Sequence, residues 1–207
     1  MTKNRSLGFD NWSQIKNLNE PFATCNVSSI INAAQSALWP VMELRKSNDP
    51  NKRPADDLYE FMRDDPHVQS FYKRYTDQKL PPNQYMEVLS YAAGLWLGSP
   101  QSVEWQSGLP VRLIGAHIIN SGCAVVHGHY PTLTHDIDHI NALVGVSWTA
   151  DGTVYEFIVD DSWGDYRTKY ESRFGDNIVM PVMDAAEYLK PLDSSMRKDA
   201  ILIFNKV

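Results

Sequence analysis

The spacing of apolar residues along the chain changes about halfway, from a helical to a strand-like pattern. From Thr24 to Leu38 the apolar residues recur at intervals of three to four, and Pro40 ends the stretch because proline cannot continue a helix. The start of this predicted helix places Cys25 in its first turn. The same spacing predicts further helices over 55–63, 66–75, 82–97 and 110–122.

The second half of the chain is rich in predicted strands. Residues 139–148 and 154–160 are separated by Asp151-Gly152, a pair typical of tight hairpin turns, so the two runs are predicted to pair antiparallel. A late helix over 183–190 and a final strand over 200–205 complete the pattern. These elements predict an α+β fold, with N-terminal helices packed on a C-terminal antiparallel β-sheet.

Composition sets limits on the class of protein. The chain has 207 residues, 43% of them hydrophobic and 21% charged, which fits a single globular domain over 1–207. The charged helical segment 45–105 is expected to be an insertion within that domain. The net charge of -6, with Lys and Arg scattered, argues against a nucleic-acid partner. No apolar run has the length of a signal peptide or a membrane span, so we expect a cytoplasmic protein as synthesised, with no membrane partner.

One cysteine, one histidine and one aspartate suggest nucleophilic chemistry. A cysteine at a helix N-terminus is favoured as the thiolate by the helix dipole, and such a nucleophile needs a base and a third group that orients the base. His139 opens one strand of the predicted hairpin and Asp161 follows the other, so the sheet is expected to bring them together. Asp160 is an alternative orienting group, although alternation along the strand points the two carboxylates to opposite faces.

Other candidate residues have less specific patterns. The oxyanion formed on attack needs hydrogen-bond donors, for which the amides of Asn17 and Gln14 are the upstream candidates, although a loop-capping role is an equal alternative for Asn17. Cys123 precedes an apolar run and is expected in the core. Trp163 is expected to shield the His–Asp pair from water. A cluster of imidazoles and carboxylates also raises the alternative of a metal site: His127, His129, His135, Asp136, Asp138 and His139.

Two regions of the sequence carry motifs around the candidate residues. The first contains Ser13-Gln14, Asn17, Pro21 and the run Thr24-Cys25-Asn26-Val27-Ser28-Ser29. The second contains His139-Ile-Asn-Ala-Leu-Val-Gly145, Asp151-Gly152, Val159-Asp-Asp161-Ser162-Trp163-Gly164 and the stretch from Tyr170 to Gly175-Asp-Asn177. These motifs resemble those of papain-like cysteine peptidases of the bacteriocin-processing branch, including bacterial and phage members. The resemblance covers 13–38 and about 110–181 and leaves 45–105 unmatched.

The resemblance implies a papain-like fold and a thiol protease without metal or organic cofactor. In this reading Cys25 is the nucleophile, His139 the general base and later acid, and Asp161 the orienting group. The implied substrate is a peptide or protein, with cell-wall cross-links and precursor proteins as candidates. The implied origin is bacterial or phage, which adds a host cell or a virion to the expected locations.

The sequence departs from the family pattern at three places and leaves two alternatives open. Asp138 stands where a glycine is common, Ser162 stands where a proline is usual, and 45–105 has no counterpart. One alternative is a papain-fold binding or structural protein without turnover, since fold does not fix function. The other is a metal-dependent hydrolase that uses the cluster from His127 to His139.

Overall fold

The structure is a computed structural model that describes residues 3–5, 12–18, 24–40, 44, 46–76, 84–189 and 199–206. The helices with described bounds are α1 (Cys25–Ser36), α2 (Pro54–Asp64), α3 (Pro66–Thr76), α4 (Gln84–Trp96), α5 (Val111–Asn120) and α6 (Val182–Tyr188). The strands are β1 (Lys3–Arg5), β2 (Val103–Ser107), β3 (Gly122–Pro131), β4 (Asp136–Trp148), β5 (Val154–Asp160), β6 (Ile178–Pro181) and β7 (Asp199–Phe204). None of the helices in these described ranges is long and apolar enough to cross a membrane.

In the described part of the chain, seven strands form one antiparallel sheet. Six of them follow the order β2-β7-β3-β4-β5-β6, and β1 pairs with the end of β4. The predicted hairpin is confirmed: β4 and β5 are antiparallel neighbours, joined by a turn in which Gly152 has a positive φ of 87°. The last β4–β5 pair at the far end joins Ala142 to Asp160, so the chain leaves the sheet at Asp161.

Helices cover both faces of this sheet. Helices α1, α2 and α4 share one apolar core with sheet residues that include Val125 and Ala142. Helices α5 and α6 share a second core with residues from the opposite face, including Val126 and Leu143. The fold is therefore α+β, with the early helices on one face as predicted and two later helices on the other. The segment 45–105 contributes α2 and α4 to the first core.

Helix α1 is buried on all sides, which the periodicity of its sequence does not predict. Its residues from Val27 to Ser36 are all buried, so its polar side chains need partners inside the protein. Asn32 Oδ1 accepts a hydrogen bond from the Trp12 backbone N–H at 2.7 Å, and Gln35 Oε1 accepts one from Trp12 Nε1 at 2.5 Å. Ser29 Oγ donates to the carbonyl of Ile140 in β4 at 2.7 Å. The bond of Ser29 fixes α1 against the sheet, and the two bonds of Trp12 fix the N-terminal segment against α1.

Local patterns predicted the helices and the hairpin but not the edges of the sheet. The helices predicted over 24–38, 55–63, 66–75 and 110–122 are confirmed as α1, α2, α3 and α5, and the later helix and final strand as α6 and β7. The helix predicted over 82–97 is confirmed from residue 84, because 82–83 lie outside the described residues, as do Pro21 and Lys190. Strands β1, β2 and β6 were not predicted. They are only three to five residues long, and β2 and β6 are the outermost strands of the sheet order.

Candidate active site

Three elements meet at the start of α1. Cys25 is the first residue of that helix, His139 lies in β4, and Asp161 follows the last residue of β5. Because Ser29, one turn further along α1, is bound to the backbone of Ile140, the helix start lies beside His139. The fold thus brings Cys25 close to His139 and Asp161, which lie more than a hundred positions later in the sequence.

The His139–Asp161 pair is buried and hydrogen bonded. Asp161 Oδ1 lies 2.8 Å from His139 Nε2, and the two side chains are 0% and 4% exposed. Burial alone lowers the pKa of His139, but the Asp161 charge and hydrogen bond and the adjacent Cys25 raise it above its ordinary value. The imidazolium is therefore favoured, and Nδ1 is the ring nitrogen left for the thiol.

Asp161 is fixed by its surroundings. Its Oδ1 accepts hydrogen bonds from the backbone N–H groups of Trp163 at 2.9 Å and Gly164 at 3.3 Å, and Tyr170 Oη donates to Oδ2 at 3.2 Å. Its own N–H donates to the carbonyl of Gly175 at 2.8 Å. A Cβ on Gly175 would lie 2.1 Å from the Asp161 carbonyl oxygen, so only glycine fits this close approach. The orienting carboxylate is held on several sides.

Cys25 is a half-buried residue, and the pKa of its thiol is lowered. Burial raises that pKa, but the hydrogen bond and charge of His139 lower it, as do hydrogen bonds from the backbone of Ile140 and Asn26. The N-terminus of α1 adds the favourable end of a helix dipole. Opposite pKa shifts of the thiol and the imidazole favour a thiolate–imidazolium pair, which is the reactive form of a cysteine nucleophile.

Of the two amides predicted as oxyanion donors, Asn17 is engaged through its NH2 group and Gln14 through its oxygen. Asn17 Nδ2 donates to Thr24 Oγ1 at 3.0 Å and to Ser28 Oγ at 2.9 Å, so both amide hydrogens brace the first turn of α1. Gln14 Oε1 accepts from Ser162 Oγ at 2.8 Å, and the Gln14 N–H donates to the Ser162 carbonyl at 3.0 Å. Gln14 therefore connects the N-terminal segment to the turn that carries Asp161.

The alternative orienting residue, Asp160, serves a different contact. Its Oδ1 accepts from the backbone N–H of Asn177 at 3.0 Å, whereas it is Asp161 that reaches His139. The last residues of β5 alternate between the two faces of the sheet, as its pleat requires. Burial raises the pKa of Asp160 to about 7; the Asn177 amide opposes this shift and the charge of Asp176 adds to it.

The histidine and aspartate residues of the possible metal cluster are divided between different environments. His127 and His129 lie in β3, where His129 contacts Asp136 and Asp138 at 3.3 and 3.2 Å, and His135 lies in an exposed turn. His139 is buried and hydrogen bonded to Asp161. Across the described ranges, no group of three or more His, Cys, Asp or Glu side chains is arranged to hold a metal ion.

Two tyrosines and one tryptophan complete the surroundings of His139. The rings of Tyr130 and Tyr170 both pack edge-on with the His139 ring, at centroid distances of 6.1 and 5.9 Å. Neither was predicted as a site residue from the sequence, because Tyr130 has no local signal and Tyr170 is marked only as the first residue of the stretch from Tyr170 to Asn177. Trp163 is partly buried next to the site, and its backbone N–H binds Asp161. Cys123 is 1% exposed, which confirms its predicted place in the core.

Comparison with protein-family models, with curated proteins and with solved structures finds no significant match to this chain.

Proposed function

We propose that this protein is a papain-like cysteine peptidase or amidohydrolase that cleaves a peptide or isopeptide bond through an acyl-enzyme. The observation that carries the proposal is the connected set of a buried Asp161–His139 pair and the half-buried Cys25, whose thiol has a lowered pKa through its hydrogen bond with His139. Burying an ionic pair is costly, and a pair placed next to a reactive thiol has an evident chemical use.

The first half of the reaction forms a thioester. The Cys25 thiolate attacks the carbonyl carbon, and the carbonyl oxygen becomes an oxyanion beside the backbone N–H groups at the start of α1. The carbon–nitrogen bond then breaks as the His139 imidazolium gives its proton to the leaving amine. Asp161 keeps the imidazole in the tautomer and orientation that this transfer needs.

The second half of the reaction regenerates the enzyme. Neutral His139 takes a proton from a water molecule, which attacks the thioester carbonyl, and the Cys25 thiolate leaves as the carboxylic acid product departs. The ion pair is then restored. An amine in place of water would give transamidation by the same steps.

The order of elements supports the papain-like assignment. Three features match the family pattern that the sequence resembles: a nucleophile at the start of a buried helix, a histidine on an antiparallel strand, and an aspartate in the turn after the next strand. The departures at Asp138 and Ser162 leave all three reactive groups in place. Ser162 contributes a hydrogen bond to Gln14.

The direct test is whether Cys25 forms an acyl-enzyme. The protein is mixed with p-nitrophenyl acetate, release of p-nitrophenol is followed, and the site of acetylation is found by mass spectrometry of the digested protein. We expect a burst with one acetyl group on Cys25 that decays by hydrolysis. The burst should be lost in Cys25→Ala and kept in the control Cys123→Ala. A Cys25 that is no more readily acetylated than an ordinary thiol would contradict the proposal and favour a binding protein without turnover.

A further inference from the structure

A pocket of about 590 Å³ lies beside the turn that carries Asp161. Its described lining comes from three separate parts of the chain: the segment 12–16, the residue before α2 and the loop 173–176. The loop adjoins the candidate active site, because the Gly175 carbonyl accepts a hydrogen bond from the Asp161 N–H at 2.8 Å. The three proposed catalytic residues do not line the pocket, so it is a separate site.

Positive charge from all three parts of the wall converges on this pocket. Lys16, Arg53 and Arg173 line it, and Asp176 is the one acidic side chain of the described lining. In the described part of the chain, neither Lys16 nor Arg173 forms an ion pair with a carboxylate. The whole chain has a net charge of -6, so the pocket is a local exception. A cleft lined mainly by one sign of charge concentrates ions of the opposite sign.

Both arginines are positioned by tryptophan rings. The guanidinium of Arg53 lies 4.8 Å from the centroid of the Trp12 ring, and its Nη1 donates to the Ser13 carbonyl. The guanidinium of Arg173 lies 4.6 Å from the centroid of the Trp163 ring. A guanidinium carries five N–H donors in a planar fork that matches the oxygens of a carboxylate or a phosphate. Because the two forks are already oriented, less side-chain freedom is lost when an anion binds.

The remaining wall offers an apolar surface to a ligand. Phe174 and Ile15 are large apolar side chains that are 75% and 39% exposed, and both line the pocket. Covering such side chains with an apolar group gains free energy in proportion to the area removed from water. The pocket therefore combines donors for an oxyanion with a surface for an apolar body.

We infer that this pocket binds an organic anion, in which a carboxylate or phosphate group is attached to an aromatic or aliphatic body. Lys16, Arg53 and Arg173 receive the oxyanion, and Phe174 and Ile15 cover the apolar body. The ligand is either a free small molecule or the terminal carboxylate of a peptide. The inference goes beyond the proposed function and does not depend on it, because the site does not use Cys25.

The test is a titration of the native protein with ligands that share a phenyl ring and differ in charge. They are phenyl phosphate, 3-phenylpropionate, the neutral 3-phenylpropionamide and the cation 3-phenylpropylamine, with inorganic phosphate as the anion that lacks an apolar body. Binding is followed through the NMR signal of the Trp12 indole N–H. We expect both phenyl anions to bind at least about tenfold more tightly than the amide, and the amine to bind most weakly. Phenyl phosphate should also bind about tenfold more tightly than inorganic phosphate.

Variants locate the binding. Arg173→Gln and Lys16→Gln should each weaken the binding of both phenyl anions by about fivefold or more. Phe174→Ala should reduce the advantage of phenyl phosphate over inorganic phosphate. The control Arg112→Gln removes an exposed cation of α5 outside the pocket and should bind as the wild type does. Cys25→Ala should also keep wild-type affinity, which separates this site from the thiol.

Equal affinities for the phenyl anions and the amide would overturn the inference, as would wild-type affinity in both Arg173→Gln and Lys16→Gln. The peptide acetyl-Gly-Phe, with a free terminal carboxylate, then identifies the source of the anion. Tighter binding of this peptide than of 3-phenylpropionate supports the site with a peptide terminus as its ligand. Equal or weaker binding supports the site with a free small anion.

Discussion

Strand β4 takes part in two histidine–carboxylate contacts, through the adjacent residues Asp138 and His139. The two contacts pair the same residue types but differ in how deeply they are buried and in what surrounds them. His139 and Asp161 are 2.8 Å apart and buried, whereas Asp138, one residue earlier, contacts His129 at 3.2 Å on the opposite face of the sheet. The Asp138 side chain is 57% exposed and that of Asp161 is 0% exposed. The residue types are the same, and the environment separates them.

The comparison shows what converts an ordinary ion pair into a candidate catalytic one. An exposed pair is screened by water and contributes about 0–1 kcal/mol, while removing one partner of a buried pair costs about 3–5 kcal/mol. Only the buried pair has backbone donors on its carboxylate and a thiol beside its imidazole. Four substitutions in the buried site, each with a control elsewhere, test this difference and follow in order of decreasing effect.

The largest effect is expected from the two histidines. His139→Ala removes the proposed general base and should slow acetylation of Cys25 by p-nitrophenyl acetate at pH 7 by about 10²–10⁴-fold. The matched change His129→Ala removes an imidazole of the exposed contact and should leave the rate unchanged. Burst kinetics measure both. Equal rates in the two variants would mean that the buried pair does not activate the thiol.

The second effect is on stability and compares the two aspartates. Asp161→Ala should lower the free energy of unfolding by about 3–5 kcal/mol, and Asp138→Ala by less than about 1 kcal/mol. Urea titration at about pH 6 is the suitable measurement. The pKa of His139 is raised in the folded protein, so its stabilising charge is fully present below the unfolded pKa of about 6.5 and is lost as the pH rises through the folded value. Similar losses of unfolding free energy in Asp161→Ala and Asp138→Ala would contradict the expected difference between the buried and the exposed pair.

The third effect comes from Asp160, a buried carboxyl that has no histidine partner among the described residues. Its pKa is raised to about 7, so the wild-type protein should lose stability as the pH rises from about 4 through 7, where the folded carboxyl holds its proton and the unfolded one does not. Asp160→Asn removes this loss. Its advantage over wild type should grow by up to about 4 kcal/mol between about pH 4 and pH 8. Thermal unfolding across this range measures it, with Asp138→Asn as the exposed control; parallel profiles for wild type and variant would refute it.

The smallest effect concerns a hydroxyl. Tyr170→Phe removes the hydrogen bond to Asp161 Oδ2 and should cost about 0.5–1.5 kcal/mol of stability. Tyr166→Phe is the control, because its buried hydroxyl has no hydrogen-bond partner among the described residues, and its removal should cost little. Chemical denaturation distinguishes the two. A larger loss in Tyr166→Phe would show that the bond to Asp161 is not the stabilising feature.

The sequence predicted the parts of this site that depend on local pattern. A helical period placed Cys25 at the start of α1, and the Asp-Gly turn set the hairpin from which His139 and Asp161 project. Tyr170 and Gly175 could not be predicted, because their contacts with Asp161 depend on how a loop folds back after β5. The amides of Asn17 and Gln14 were predicted as oxyanion donors, and only the structure shows which atoms in the protein they bind.

The most direct test of the account is the rate at which iodoacetamide labels Cys25 as a function of pH, with adducts located by mass spectrometry. Buried Cys123 should stay unlabelled in the native protein. Cys25 is expected to be labelled fast well below the free-thiol pKa of about 8.5, with the profile of the His139→Ala variant moved toward that of a free thiol. A profile that follows an ordinary thiol and does not depend on His139 would contradict the activated Cys25–His139–Asp161 site.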